Sequence, residues 1–364
     1  EDADTDLEFI VCSTLHEFQQ EINDQDKKDF IKAWVVDLSN LPEEEDSKTY
    51  RIAQFIRDSF DNNRIPIFIH SANLQHYDEL EDKGTVFKIA KGNNSIDEIG
   101  NKILQMQESG FLNIFCHGGI LDQKIMEELH SAFVNQFKGN EIEEIIKSVK
   151  ETNPEDLVSR TTNLFERIAI RSLYQNVINP KETEEGTTIE IKVNPIEHYY
   201  RRTEGFKYWT GDIFQHKTNG ELVIIITPRC NVGHCNYDEL MLCKIIQLSE
   251  ANLNEFLSTR KNKGWETYRK SITDDVTHAL IGERKRFLPV TPQFVGGFVD
   301  YKTCFSLKNE AFDENYQYLI SLVDDMTNDV IRKFSSYFLR AGISETEYDE
   351  AYYYVQSKSV DNTN

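Results

Sequence analysis

The stretch Ala33-Trp34-Val35-Val36-Asp37-Leu38 is an apolar run of strand length with a carboxylate near its end. Two further runs have the same character: Ile65-Pro66-Ile67-Phe68-Ile69-His70 closes on Ser71-Ala72, and Val86-Phe87-Lys88-Ile89-Ala90 closes on Lys91. Near-continuous apolar strands suit a parallel sheet covered on both faces. In an open sheet of this kind the carboxyl ends of the strands share one crevice. The strand ends therefore predict a carboxylate, a hydroxyl and an ammonium converging at one sheet end, a set suited to accepting and holding a phosphoryl group.

The intervening segments read as helices. Leu15, Phe18 and Ile22 recur at steps of three and four, as do Tyr50, Ala53, Ile56 and Phe60. Ser95-x-x-Glu98 has the form of a capping box, followed by an apolar stripe of Ile96, Ile99, Ile103 and Met106. The order Asp37, Ser71-Ala72, Lys91 resembles the receiver domain of two-component response regulators. That resemblance implies a flavodoxin-like fold with Asp37 as phosphoacceptor, Ser71 as the hydroxyl that reads the phosphate and Lys91 as its cationic partner. Receivers begin with a strand ending in an acidic pair that holds Mg²⁺. Here Leu7-Glu8-Phe9-Ile10-Val11 fits the second strand of that family, so one strand-helix unit of roughly 30 residues is expected to be missing from residues 1–110. Mg²⁺ is expected only if that acidic pair is supplied upstream. Gly92 also stands where receivers usually carry proline.

A length of 364 residues suits two or three domains, and 39% hydrophobic residues, with 22 Phe and 16 Tyr in the chain, suffice for real cores. A formal charge of −22 opposes general nucleic-acid affinity, which depends on Lys and Arg neutralising phosphates. No run of about 18 apolar residues predicts a membrane span. Six cysteines without close paired spacing are too sparse for a disulfide scaffold, so reduced thiols in a cytoplasmic protein are expected.

Residues 111–180 read as a helical connector. The glycines of Phe111-Leu112-Asn113-Ile114-Phe115-Cys116-His117-Gly118-Gly119-Ile120 suit a hinge. Ile125, Leu129, Phe133 and Phe137 mark one helix, and Leu164, Ile168, Ile170 and Leu173 another. Residues 181–310 read as a β-rich, partly barrel-like module, with strands at 188–193, 221–227 and 241–246 and short strands near 287–289 and 298–300. Residues 311–364 read as C-terminal helices, with Met326, Val330, Phe334 and Phe338 at steps of four and Ser344-x-x-Glu347 as a further cap.

Thr210-Gly211-Asp212-Ile213-Phe214, Ile226-Thr227-Pro228-Arg229-Cys230-Asn231, Arg286-Phe287-Leu288-Pro289 and the run 334–343 together resemble a family of bacterial proteins of unassigned activity. Asn231 stands where that family more often has Asp. The company such modules keep implies phage or stress defence, often beside a histidine-kinase-like ATPase.

Within this half, Asp212, Cys230 and His234 form a candidate output site. Cys230 with His234 suggests a nucleophile and base, and Cys230, His234, Cys235 and Cys243 suggest zinc, although no C-x-x-C pair exists. Burial at a strand end would suppress the Cys230 thiolate. Gly211-Asp212 also fits plain turn chemistry. Arg201, Arg202 and Lys207, among Tyr199, Tyr200, Tyr208 and Trp209, form a candidate partner-binding cluster, and Arg284, Lys285 and Arg286 fit a solvated face. The combined expectation is a cytoplasmic two-component-like signalling adaptor or effector that meets a protein partner or a second copy of itself and is more an interaction protein than an enzyme. The alternatives are a hydrolase or nuclease-type effector, and a scaffold that is never phosphorylated.

Overall fold

A computed structural model describes residues 8–24, 26–27, 29–38, 54–58, 63–72, 74, 85–136, 138–152, 154–178, 193–202, 205–247, 284–339, 348–350 and 352. The chain divides into two compact units, Glu1–Ile189 and Glu190–Asn364.

The first unit is built on three parallel strands, β1 (Trp34–Leu38), β2 (Ile67–Ser71) and β3 (Val86–Ala90), in the order β1-β2-β3. Trp34, Val36, Ile67, Ile69 and Val86 pack on one face with Ile56 of a helical turn at 54–58 and with Phe18 and Ile22 of α1 (Leu15–Asn23). Phe68 and Ile89 pack on the other with Ile99 and Ile103 of α2 (Ser95–Glu108) and Leu112 of α3 (Phe111–Phe115). This two-sided burial is why β2 reads as an unbroken apolar run. Thr14 and Glu17 form a reciprocal capping box on α1.

Three local expectations are corrected here. Residues 8–11 form no strand, and Phe9, Ile10 and Val11 are exposed. Ser95 does not cap α2: Asn94 is the N-cap, and the Ser95 hydroxyl donates to Gly92 O at 2.9 Å instead. Ile96 consequently falls off the buried stripe and is exposed. Tyr50, Ala53 and Phe60 lie outside the described residues.

Gly118, at φ +66, turns the chain from α3 into α4 (Ile120–Gln136), where Phe133 is exposed; Phe137 lies outside the described residues. The amphipathic α5 (Gly139–Thr152) and the long α6 (Leu157–Ile178) follow, and Ile170 is exposed on α6.

The second unit carries a curled antiparallel sheet of seven strands. These are β4 (Tyr199–Tyr200), β5 (Asp212–His216), β6 (Leu222–Ile225), β7 (Glu239–Ile246), β8 (Lys285–Leu288), β9 (Gly297–Lys308) and β10 (Tyr316–Leu322), in the order β4-β10-β5-β6-β7-β9-β8. Alternation splits the strands between two cores. Ile213, Ile224, Ile245, Val299, Tyr301 and Ile320 pack with Met326 and Val330 of α9 (Asp324–Phe338). Phe214, Val223, Ile225, Leu240 and Leu242 pack with Tyr208 and with Phe312 of α8 (Asn309–Asn315). A short α7 (Arg229–Gly233) follows β6.

The segment from 311, expected to be helical, contributes β10 to the middle of this sheet. At a register shift between Tyr318 and Ile320 the packed side chains pass from one face to the other, while Tyr316, Tyr318, Ile320 and Leu322 keep steps of two in sequence. Cys243 and Cys304 stand opposite each other on β7 and β9 and are joined as a disulfide. The expectation that all thiols are reduced fails at this pair, because strand pairing rather than sequence spacing brings the two together. The expected strand residues 188–192 and the cap at 344–347 lie outside the described residues.

Candidate functional site

The parallel register places Asp37 opposite His70, and Leu38 opposite Ser71, which in turn lies opposite Ala90. Asp37, Ser71 and Lys91 thus share the carboxyl end of the sheet. Lys91 Nζ lies 2.5 Å from Asp37 Oδ1, with 61% of the Asp37 side chain and 30% of the Lys91 side chain exposed. The Lys91 N–H donates to Ser71 O at 3.1 Å, fixing the point where the chain leaves β3. Ser71 itself is buried. Behind it, His70 Nε2 and Ser95 Oγ are 2.8 Å apart, and Gly92 N–H donates to Ser95 Oγ at 3.2 Å, so the loop after Lys91 is pinned to β2.

This arrangement offers an exposed nucleophilic carboxylate beside a fixed cation. Among the described residues no three His, Cys, Asp or Glu side chains come together as metal ligands.

A second polar corner of this unit lies in the segment read as a hinge. Lys32 Nζ donates to the buried Cys116 Sγ at 2.9 Å, and His117 Nδ1 pairs with Asp29 Oδ1. Arg64 donates to both oxygens of Asp122 at 2.6 and 2.9 Å, and Gly118 N–H donates to Asp122 Oδ2 at 3.0 Å. The Arg64 guanidinium holds the Asp122 carboxyl at about 2, well below its ordinary value. These bonds tie α4 to the chain entering β1 and β2; only the glycines signalled a turn here. A cleft of about 350 Å³ lined by Arg64, Ile65, Thr85, Phe111 and Phe115 lies at the opposite end of the sheet from Asp37.

In the second unit Asp212 is fully buried. Its Oδ2 accepts from Trp209 N–H at 2.7 Å and lies 3.1 Å from Arg202 Nη2; its Oδ1 accepts from Ser321 Oγ at 2.6 Å. Burial pushes the carboxyl upward, and the Ser321 bond, the Arg202 charge and the Trp209 bond oppose that push. Tyr318 extends the network: its hydroxyl lies 2.9 Å from Ser321 Oγ and accepts from Arg202 N–H at 2.9 Å. Gly211, at φ +95, supplies the expected turn, and a Cβ there would come within 2.3 Å of Thr327 Oγ1. The Asp212 site is thus a buried structural lock as well as a turn.

The other output candidates stand apart from it. Cys230 is exposed, which corrects the expectation of burial: Pro228 ends the strand and starts α7, and Val232 is the side chain that turn buries. Cys230 Sγ contacts Asn231 Oδ1 at 3.4 Å, whereas His234 is exposed and no hydrogen bond joins it to Cys230 through the two side chains among the described residues. Cys243 is committed to its disulfide.

The expected partner cluster also divides. Arg201 is exposed, but Arg202 keeps only 17% of its side chain exposed against Asp212, and Lys207 pairs with Asp313. The expected solvated face at 284–286 is corrected in the same way. Arg284 donates to both oxygens of the buried Asp300 at 3.0 and 2.7 Å, and Arg286 meets Asp329. Arg202, Ser321 and Tyr318 are the members of the lock that the sequence did not reveal.

No family model matches the chain, and no curated protein is similar to it. Among solved structures it is similar to MazE-MazF (Form-II) from Deinococcus radiodurans, at 13% identity and a TM-score of 0.24, over 38% of this chain and all of that one. A likeness of that degree carries no argument. No helix among the described residues is long and apolar enough to cross a membrane.

Proposed function

We propose that the Asp37 crevice is the phosphoryl-accepting switch of a two-component-like signalling adaptor or effector. The observation that supports this reading is the pairing of Asp37 with Lys91 at the carboxyl end of the parallel sheet, across the strand that ends in Ser71. In the proposed step an Asp37 carboxylate oxygen attacks the phosphorus of a donor phosphoryl group. The new O–P bond forms as the donor's bond to phosphorus breaks, and the bonding pair leaves with the donor. The ammonium of Lys91 then faces a dianion in place of a single carboxylate, a change able to bias docking of a partner or of a second copy. A histidine-kinase-like ATPase is the donor class, and cytoplasmic phage or stress defence the setting, on the sequence resemblance alone.

Intact-mass measurement after incubation with acetyl phosphate tests the reading. The expected result is a gain of one phosphoryl group that Asp37→Asn abolishes. No gain, or a gain that persists in the variant, overturns it.

A scaffold reading keeps the same Asp37–Lys91 pairing without any phosphoryl transfer. In that case the unsubstituted chain and the Asp37→Asn variant associate with the partner equally well. The enzyme alternative has less support, since Asp212 is enclosed and Cys230 lacks a bonded base among the described residues.

A further inference from the structure

We infer that Arg286, Arg332 and Lys333, gathered around Asp329, form a binding site for an oxyanion of phosphate size, with the Tyr301 hydroxyl as a neutral donor. Arg286 Nε lies 2.7 Å from Asp329 Oδ2, Arg332 Nη2 2.6 Å from Oδ1 and Lys333 Nζ 3.9 Å from Oδ2. Three cations thus share one carboxylate, a local excess of positive charge in a chain of formal charge −22. The excess is half-buried: the side chains of Arg286 and Lys333 are each 24% exposed. Like charges held together away from water are costly unless an anion joins them.

The independent observation is a pair of unmet donors. Tyr301 is fully buried, and its hydroxyl has no hydrogen-bond partner among the described residues. The register sets Arg286 opposite Val299, so Tyr301, two residues further along β9, lies on the same face of the sheet as Arg286, the face that packs against Met326 and Val330 of α9. Arg286 Nε, despite its short distance to Asp329, does not direct its N–H at that carboxylate and is likewise unmet. Besides its ion pair with Asp329, the hydrogen bond from this guanidinium among the described residues runs from Nη2 to Met326 Sδ at 3.5 Å, a weak acceptor.

Both unmet groups donate hydrogen bonds, and the surplus charge is positive. An anion with several acceptor oxygens would answer both the unmet donors and the surplus charge. A phosphate group meets that description, and a guanidinium fork matches its geometry. The group can arrive as the free ion or on a nucleotide.

The test is isothermal titration of the full chain carrying Lys91→Ala, which removes the Asp37 crevice as a competing phosphate site. Inorganic phosphate and a nucleoside monophosphate are compared with chloride at matched ionic strength. Saturable phosphate binding is expected, weakened about tenfold by Arg332→Gln and by Tyr301→Phe. Tighter nucleotide than phosphate binding assigns the group to a nucleotide; phosphate binding alone assigns it to the free ion. Absence of saturable binding of either, or unchanged affinity in Arg332→Gln, overturns the site. Arg332 is largely exposed, so that variant reports on binding even if Tyr301→Phe folds poorly.

Discussion

Lys91 reaches Asp37 at 2.5 Å although the strands that carry them to the sheet end are not neighbours, so the ammonium bridges the end of the strand carrying Ser71. The pair closes the mouth of the crevice with a contact that is mostly in water. Exposed pairs contribute about 0–1 kcal/mol. Lys91→Ala is therefore expected to change the urea unfolding free energy by less than about 1 kcal/mol, while reducing phosphoryl-dependent changes in oligomeric state seen by light scattering. A large loss of stability would assign the pair a structural role instead.

Asp212 is the opposite case. Asp212→Ala leaves Arg202 half-enclosed without its counter-ion and strands Ser321 and the Trp209 N–H. Removing one partner of a buried pair costs about 3–5 kcal/mol, and denaturant unfolding of the second unit should show a loss of that size. Ser321→Ala, which removes one hydrogen bond and keeps the charges, should cost about 1–3 kcal/mol.

Asp122 makes an acid-side prediction. Its folded pKa, about 2, is depressed by Arg64 from an ordinary 3.8. A depressed carboxylate stabilises the fold above its unfolded pKa and loses that contribution as pH falls through the folded value. Stability should therefore decline between pH 3.8 and about 2, and Arg64→Gln should flatten that part of the curve. With 27% of the Asp122 side chain and 46% of the Arg64 side chain exposed, solvent screening keeps the difference to about 1 kcal/mol or less.

The Cys243–Cys304 link spans 61 residues. Loop-closure entropy for that separation amounts to about 4 kcal/mol, so Cys243→Ser with Cys304→Ser, or reduction of the native protein, should lower the urea midpoint of the second unit. Mass spectrometry with and without alkylation under non-reducing conditions checks the link directly.

What could be read from the sequence was what depends on short range. The parallel strands announced themselves because both faces are buried, and residues at strand ends in such a sheet must lie at one edge; this located Asp37, Ser71 and Lys91, though not their roles. The β-rich character of the second half was visible in 221–227 and 241–246 for the same reason. What could not be read depends on distant pairing. Ser321 reaches Asp212 across 109 residues, and Cys304 reaches Cys243 only through the register of β7 and β9. Arg202 looked like a surface cation because nothing local shows that Asp212 will be buried beside it. β10 carries the alternation Tyr316, Tyr318, Ile320, Leu322, but its pairing with β4 and β5 is distant in sequence.

The position of β10 between β4 and β5 also orders events during synthesis. Asp212 leaves the ribosome 109 residues before Ser321, and so well before the strand that buries it. Until then β5 keeps one ladder edge open and its carboxylate stays in water. The second unit therefore cannot complete its sheet until β10 has been made, a high-contact-order route that is slow and leaves an adhesive edge in the meantime.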